Sequence, residues 1–311
     1  MNQKRLEPKI NDNQGMQYFN SNTIIFLNGR FEKASGPAAS LYGQSLHYGY
    51  SVFDGMRAYN THNGTRIFKA RQHFERLEQA ARLLNIPFKW NIDELLRKAY
   101  KLLEMNGLKD AYIRPLVFCG PNMSLTAPVS SSIMICAWKW DAYLGHEPLN
   151  VCISGYERPS PRSFPVQAKV GGNYVNAILA TQEAKSKGFD EALLLDEYGN
   201  VAQAPGANIF MEKNGRLYTP PEGHIVPGIT RATVRELCRV LDIELTEKHL
   251  DLQELYHADS AFFCGTATEI AGIGRIEGYR MPMKWEDSIG AVIQRTYQSL
   301  VLEKQNYEVI I

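Results

Sequence analysis

The sequence has no surplus of charge of either sign and no long apolar run, and each absence removes a class of function. Its 311 residues carry 34 Lys and Arg against 33 Asp and Glu, a formal net charge of +1. Nothing in this balance indicates a nucleic acid or a membrane surface as partner. No apolar segment is long enough to span a bilayer. The first twenty or so residues are polar and lack the apolar core of a signal peptide. We therefore expect a cytoplasmic protein.

Motifs for nucleotides and metals are missing as well. No GxGxxG follows a predicted strand, no GxxxxGKS/T is present, and no GxSxG marks a serine nucleophile. The five cysteines form no CxxC pair, and the seven histidines form no HExxH. We therefore expect reduced, buried thiols and no metal site. Internal repeats are absent too.

Hydrophobic residues make up 44% of the chain, and its length is typical of two domains. We predict an N-terminal arm over 1–22, a smaller domain over 23–140, a connector over 141–148 and a larger domain over 149–311. Apolar periodicity predicts helices over 71–84, 92–103, 174–187, from the turn at 226–231 to 241, and 285–302. Strands are predicted over 23–27, 111–118, 133–138, 149–156 and 260–270. Further strands are predicted within 191–218, broken by turns at 198–200 and 214–215.

The most informative stretch is Gln167–Asn176, where Lys169 precedes Gly171 and Gly172. The glycines allow a close backbone approach or a positive φ, so the lysine would lie at the mouth of a turn. A lysine among apolar neighbours loses its proton more easily and can form a Schiff base with a carbonyl. The alternative is a solvated turn lysine, which is what such a position more often holds.

Other pieces of the chain could bind an anion. Gly228 and Thr230 lead into a predicted helix, whose first amides could bind an anion. Arg76 could donate paired hydrogen bonds from its charged guanidinium, and Thr266, which follows a glycine, could donate a hydroxyl and an amide. Each has a plain structural alternative: a helix cap, a surface charge or a strand end. A Schiff-base lysine together with a phosphate site indicates pyridoxal phosphate. Arg114 lies within an apolar strand, where a buried arginine needs an anion.

These pieces occur in motifs that together resemble the fold-type IV pyridoxal-phosphate enzymes, and among them the branched-chain amino acid aminotransferases. The resemblance extends from about Ile24 to the last helix. The motifs are HYGxSVFDGMR at His47–Arg57, HxxRL at His73–Leu77, AYIRP at Ala111–Pro115, WxAYLG at Trp140–Gly145, AKxGGNY at Ala168–Tyr174, PGITR at Pro227–Arg231 and GTAxEI at Gly265–Ile270.

The resemblance implies an α+β fold with a small α/β N-terminal domain, a larger β-rich domain and the cofactor between them. It implies that Lys169 links to the cofactor and moves the Cα proton, and that Tyr174 contacts the cofactor's O3′. The implied phosphate site is formed by Arg76, Ile229, Thr230 and Thr266, with Val226 and Gln203 also beside the cofactor.

For the substrate, the resemblance implies that Tyr112 and the backbone at Thr266 and Ala267 bind the α-carboxylate. The side-chain carboxylate of glutamate would meet Tyr48, Arg114 and Tyr143. Apolar pocket walls would be Phe53 and Trp140. No metal is implied.

The chain departs from the family pattern at a few positions. Gln203 stands where the family has the glutamate that pairs with the pyridine nitrogen, and Ala207 replaces a second glutamate. Asp54 in place of glutamate and Val226 in place of leucine are milder changes.

The resemblance implies transamination between branched-chain L-amino acids and 2-oxoglutarate by a ping-pong mechanism in a homodimer or higher oligomer. Because Gln203 departs from the family pattern, we expect it to slow this reaction. D-amino acid transaminase and aminodeoxychorismate lyase share the fold, but the AYIRP and WxAYLG motifs argue against both. The remaining alternative is a cofactor-binding homologue with little turnover, which Gln203 and Ala207 favour.

Overall fold

Two β-sheets form the framework of the protein in the computed structural model, which describes residues 18–140, 144–145 and 147–303. The first sheet is antiparallel and seven-stranded, with strand order β2-β1-β7-β6-β4-β5 and β3 also paired to β6. Its strands are β1 (Ile24–Leu27), β2 (Arg30–Lys33), β3 (Ser51–Phe53), β4 (Met56–Thr61), β5 (Gly64–Ile67), β6 (Ala111–Cys119) and β7 (Ser131–Trp138).

Three helices pack against this sheet. They are α1 (Gln44–Tyr48), α2 (Ala70–Leu83) and α3 (Ile92–Met105). The predicted apolar face of α2 is buried at Phe74, Leu77 and Ala81. Burial alternates along β6 and β7, as expected when one face of a sheet meets a core. The opposite face, which carries Arg114 and Trp138, is only partly buried.

The second sheet has nine strands, in the order β10-β9-β8-β15-β14-β11-β12-β13, with β16 on β15. They are β8 (Leu149–Ile153), β9 (Glu191–Leu195), β10 (Val201–Gln203), β11 (Asn208–Lys213), β12 (Arg216–Thr219), β13 (Leu245–Glu247), β14 (Ser260–Gly265), β15 (Glu269–Ile276) and β16 (Tyr279–Arg280). Gln203 also pairs with Asn208, so β10 meets β11 and the strands from β10 round to β11 close into a ring. Closure protects the edges of these strands.

The remaining helices are α4 (Tyr174–Ser186), α5 (Ile229–Val240), α6 (Leu252–Tyr256) and α7 (Ile289–Val301). No helix among the described residues is long and apolar enough to cross a membrane. The two sheets share a core, because Tyr59 of β4 belongs to one buried cluster with Phe210 of β11 and Phe262 of β14. Ala168 and Val170, which follow β8 in the chain, pack into the core of the first sheet.

Several predicted boundaries were wrong. The last helix does not begin at Trp285: residues Trp285–Asp287 form a 3-10 turn, and α7 starts after Ser288, whose side chain accepts from the Ala291 amide. The strand predicted over 260–270 is interrupted at 266–268, a turn that the positive φ of Glu269 (56°) helps to form. The strand predicted over 149–156 ends at Ile153. Of the predicted arm, residues 1–17 lie outside the described part of the chain, as do 141–143 and 146 of the predicted connector.

Candidate active site

Lys169 lies where the two sheets meet. Its carbonyl accepts a hydrogen bond from the Phe53 amide at 3.0 Å, and Val170 bridges to Val52 of β3. The following glycines allow this contact: the Gly172 amide donates to the Gly49 carbonyl at 2.9 Å, and a Cβ on Gly49 would lie 2.5 Å from the Gly172 Cα. The expected close backbone approach at the turn is therefore present, and it is made to another glycine.

The amine of Lys169 points to Tyr174. Lys169 Nζ donates to Tyr174 Oη at 2.7 Å and lies 5.6 Å from the centre of the Phe53 ring. Burial alone would raise the pKa of Tyr174, but the charge and hydrogen bond of Lys169, helped by Arg76, bring that pKa below its ordinary value. Lys169 and Tyr174 thus form a largely buried pair of an amine and a polarised phenol.

The side chain of Lys169 lines a cleft between the two sheets. Every residue that the resemblance assigns to the cofactor lines this cleft: Arg76, Lys169, Tyr174, Gln203, Val226, Ile229, Thr230 and Thr266. Tyr112 and Ala267, assigned to the substrate, line it as well. Arg76 and Ala267, which are 191 positions apart in the sequence, are thereby brought together in one cleft with Lys169.

One wall of the cleft can accept an anion. Helix α5 starts there after Gly228, with no side-chain cap and no acidic residue in its first turn, and Ile229 and Thr230 line the cleft. The first amides of a helix have no partners within the helix and carry a partial positive charge. The start of α5 therefore offers open donors to a phosphate.

Arg76 reaches the same wall from α2 through a buried ionic network. Asp54 accepts from Arg76 Nε and Nη2, each at 2.8 Å, and from His73 Nδ1 at 2.8 Å. Burial alone would raise the pKa of Asp54, but the Arg76 and His73 groups hold it far below its usual range. The pKa of His73 is lowered by burial, which Asp54 only partly offsets. The network thus fixes the Arg76 guanidinium in one orientation.

Arg114 lies beside the cleft in an aromatic cage. Its guanidinium is 4.6 Å from the Phe53 ring centre, 5.5 Å from that of Tyr112 and 5.9 Å from that of Trp138. Its buried Nε has no hydrogen-bond partner among the described residues. A guanidinium that stacks on aromatic rings and has an unpartnered Nε can still bind an anion.

Arg114 also lines a second cavity, of about 540 Å³. Its other walls are mainly apolar: Tyr18, Phe19, Thr23, Ile25, Ala34, Leu116, Met134, Cys136, Ala137, Trp138 and Trp140. Tyr112 separates this cavity from the cleft, because its ring contacts Trp138 and Trp140 at centroid distances of 5.3 and 4.7 Å. Phe53 is next to the cleft too, with its ring 4.6 Å from that of Tyr174.

One predicted substrate residue, Tyr48, is brought neither to the cleft nor to the cavity beside it. Tyr48, the last residue of α1, is 45% exposed and donates to the Met123 carbonyl at 3.1 Å. Tyr143 lies outside the described residues.

The sequence reasoning missed several supporting residues. Asp54 and His73 stand inside motifs that carried the resemblance, yet neither was given a role. Arg57 was missed as well: it donates to the Trp140 carbonyl at 3.2 Å and to the Ala267 carbonyl at 3.4 Å, which joins the two loops beside Tyr112. The sequence signal for these residues is that each is a polar side chain within a largely apolar motif, where it needs a polar partner when buried.

Comparison with known proteins identifies the family. The family model for class IV aminotransferases matches residues 51–276. The chain belongs to the class IV aminotransferases.

Among the relatives of this aminotransferase is the branched-chain-amino-acid aminotransferase of Escherichia coli strain K12, 36% identical over 283 residues, which are 88% of this chain and 91% of that protein. The branched-chain aminotransferase of Thermoproteus uzoniensis, solved with norvaline, superimposes with a TM-score of 0.88 at 36% identity, covering 91% of this chain and 96% of that one. The enzyme from Thermobaculum terrenum, solved in its PLP form, gives 0.86 at 30% identity, covering 91% and 95%.

The expected fold is confirmed: this is an α+β aminotransferase of fold type IV. Its cofactor is pyridoxal phosphate. The described residues fit that cofactor, because the open amides of α5 and the clamped Arg76 can take a phosphate, and the amine of Lys169 lines the same cleft.

Proposed function

We propose that this aminotransferase exchanges amino groups between branched-chain L-amino acids (leucine, isoleucine and valine) and 2-oxoglutarate. The observation that carries the proposal is the apolar cavity next to the cleft, in which Arg114 is the one charged side chain among the described lining residues. Apolar walls suit a branched side chain, and an arginine suits the distal carboxylate of glutamate or 2-oxoglutarate. The names of the relatives support the same substrates.

The cofactor would be held at both of its ends. Its phosphate would bind the amides and hydroxyls at Ile229, Thr230 and Thr266, with Arg76 beside them. Lys169 and Tyr174 would meet the other end, and Val226 would line the ring. Bound pyridoxal phosphate supplies an electron-accepting ring and a carbonyl that links to amines.

Lys169 would carry the proton. Its Nζ donates to Tyr174 Oη at 2.7 Å and lines the cleft. Once the Lys169 amine is free and uncharged, it would take the Cα proton from a bound amino acid. Lys169 would move the proton in opposite directions in the two half-reactions. The amino group would stay on the enzyme after the first 2-oxo acid leaves and would pass to the second 2-oxo acid, which is the basis of ping-pong kinetics.

Substrate orientation would come from Tyr112 and the backbone at Thr266 and Ala267, which line the cleft and would receive the α-carboxylate. Arg57 supports this arrangement because it fixes the Ala267 and Trp140 carbonyls. Phe53 and Trp140 would then be walls for the side chain.

We propose a cytoplasmic homodimer. Large apolar side chains are exposed on a surface around α1 and α4: Leu41, Tyr42, Leu46, Tyr48, Met123, Leu125, Val129, Val175, Ile178 and Leu179. The end of α1 and the turn before α4 are joined by the bond from the Gly172 amide to the Gly49 carbonyl. An exposed apolar surface of this kind favours association with another protein surface. A role for Tyr48 in substrate binding would then require that it act in the site of a second copy.

The described cysteines are free, which agrees with a reducing compartment such as the cytoplasm.

We also propose that Gln203 slows the reaction. A carboxylate at this position would favour a protonated pyridine nitrogen, whereas an amide carries no charge. The amide lines the cleft and is 3% exposed, so solvent does not substitute for the missing charge.

The test is a half-reaction with one amino acid at a time, followed through the cofactor's absorbance. Leucine, isoleucine, valine and glutamate should each convert the cofactor, and D-leucine should not. Conversion by D-leucine alone would favour a D-amino acid transaminase. Normal cofactor binding without conversion by any of them would favour a homologue with little turnover.

A further inference from the structure

The side-chain amide of Gln203 is tied to backbone groups at both ends. Oε1 accepts from the Val226 amide at 2.8 Å, and Nε2 donates to the Ala204 carbonyl at 3.1 Å. The residue is 3% exposed. An amide supplies one acceptor and a donor group, so neither a carboxylate nor an apolar side chain of similar length can make both bonds.

Asn208 holds the same loop from the neighbouring strand. It pairs with Gln203 across β10 and β11, and its Nδ2 donates to the Val226 carbonyl at 3.0 Å. Its Oδ1 packs against Gly228, where an added Cβ would lie 2.1 Å from that oxygen. Both polar groups of the Val226 backbone are therefore bound by side-chain amides, and the loop has no room to shift toward Asn208.

The loop is anchored on its other side by Arg76, whose Nη1 donates to the Pro227 carbonyl at 3.1 Å. Helix α5 begins directly afterwards at Ile229, with its uncapped first turn in the cleft. The direction in which the first amides of α5 point is therefore set by the loop and by the side chains that hold it.

We propose that Gln203 is a positioning residue for the cofactor phosphate: it fixes the loop 226–228 and so aims the first amides of α5. This inference rests on the proposed placement of the phosphate at Ile229 and Thr230. The positioning role of Gln203 concerns the phosphate end of the cofactor. The proposed slowing of the reaction by its uncharged amide concerns the ring nitrogen.

Pyridoxal, which lacks the phosphate, separates these two roles. The dissociation constants of pyridoxal phosphate and pyridoxal are measured on the full-length, cofactor-free protein, for the wild type and for Gln203→Met. Leaving the buried Val226 amide without an acceptor should weaken pyridoxal phosphate binding about tenfold, with pyridoxal nearly unchanged. The ³¹P resonance of the bound cofactor should also shift in the variant holoenzyme, independently of turnover.

The matched control is Gln44→Met. Gln44 is also 3% exposed, and its Nε2 donates to the Thr126 carbonyl at 2.8 Å, in a loop that does not line the cleft. This variant should keep the wild-type ratio of the two affinities. Gln203→Asn, which keeps the amide but shortens its reach, is the second test variant if the methionine variant does not fold, and it should show the same selective loss.

Thr230→Val tests the placement of the phosphate itself. If Thr230→Val lowers the preference for pyridoxal phosphate and neither Gln203 variant does, the positioning role is overturned and the phosphate placement stands. Equal weakening of both ligands by the Gln203 variants overturns it too, because the contribution would then not be specific to the phosphate. If Thr230→Val leaves the preference intact as well, the placement fails and the positioning role fails with it.

Discussion

The Asp54 carboxylate accepts two hydrogen bonds from Arg76, one from Nε and one from Nη2, each at 2.8 Å. The pair is buried, with side-chain exposures of 1% for Asp54 and 12% for Arg76. Arg76 lines the cofactor cleft, so its orientation there depends on a carboxylate that does not line the cleft. Asp54 therefore orients the cation of the proposed phosphate site, Arg76, from outside that site.

Asp54→Asn should destabilise the protein strongly, because it leaves Arg76 buried without its counter-charge. Breaking a buried ion pair costs about 3 kcal/mol in the free energy of unfolding. Urea denaturation of the cofactor-free protein measures this. The control is Asp93→Asn, which breaks the exposed pair with Arg71 and should cost less than about 1 kcal/mol. Similar small losses in both variants would show that the network contributes no more than a surface pair.

The stability of the protein should depend on pH through His73. Burial lowers its pKa in the folded protein, whereas the unfolded histidine has a pKa of about 6.5. Below that pH the unfolded chain binds the proton more readily, so the contribution of His73 to stability is complete above about pH 6.5 and is lost as the pH falls through the lower folded value. His73→Asn should flatten this part of the stability curve, and His249→Gln, at an exposed histidine, should not. A parallel slope in wild type and His73→Asn would contradict the prediction.

The turn at Lys169 predicts where the cofactor is attached. Borohydride reduction of the yellow protein, followed by peptide mass mapping, should place the cofactor on Lys169. Lys169→Arg should bind the cofactor without forming a reducible link. An unmodified Lys169 peptide recovered from visibly yellow, reduced protein would rule out the assignment.

How far the sequence predicts this site depends on whether the interaction is local. The lysine turn, the apolar face of α2 and the glycine before α5 are local patterns, and each corresponds to an observed element. Arg114 could be singled out because an arginine within an apolar strand is costly to bury without a partner.

Long-range contacts were not predictable in the same way. Asp54 accepts hydrogen bonds from Arg76, which is 22 positions away in the sequence. Gln203 accepts from the Val226 amide, which is 23 positions away. Nothing in the pattern around Gln203 shows that both ends of its amide bind backbone, because that depends on how β10 closes against β11. The start of α7 was misplaced since apolar periodicity continues through the 3-10 turn at 285–287, and only the capping Ser288 marks the boundary.

Arg114 should distinguish glutamate from leucine. A hydrogen bond to a charged group is worth roughly 1.5–3 kcal/mol, so Arg114→Gln should lower kcat/KM for glutamate about ten- to hundredfold. Leucine carries no distal charge and should be much less affected. Arg66→Gln, at a surface arginine whose side chain is 54% exposed, should change neither. Equal losses for both substrates would assign Arg114 a structural role in its aromatic cage.

The charge at position 203 should control the rate of proton removal. Transamination builds negative charge at Cα, and a carboxylate near the pyridine nitrogen would help the ring to accept it. Gln203→Glu should therefore speed the half-reaction with leucine at saturating cofactor; a gain near 1.4 kcal/mol would appear as about tenfold. The opposing effect is that glutamate keeps an acceptor for the Val226 amide but cannot donate to the Ala204 carbonyl, which buries a carboxylate with fewer partners. Single-turnover decay of the cofactor absorbance reports the first effect, and urea denaturation reports the second. A wild type that already turns over at an ordinary transaminase rate, together with a variant that is no faster, would show that the uncharged amide does not limit this enzyme.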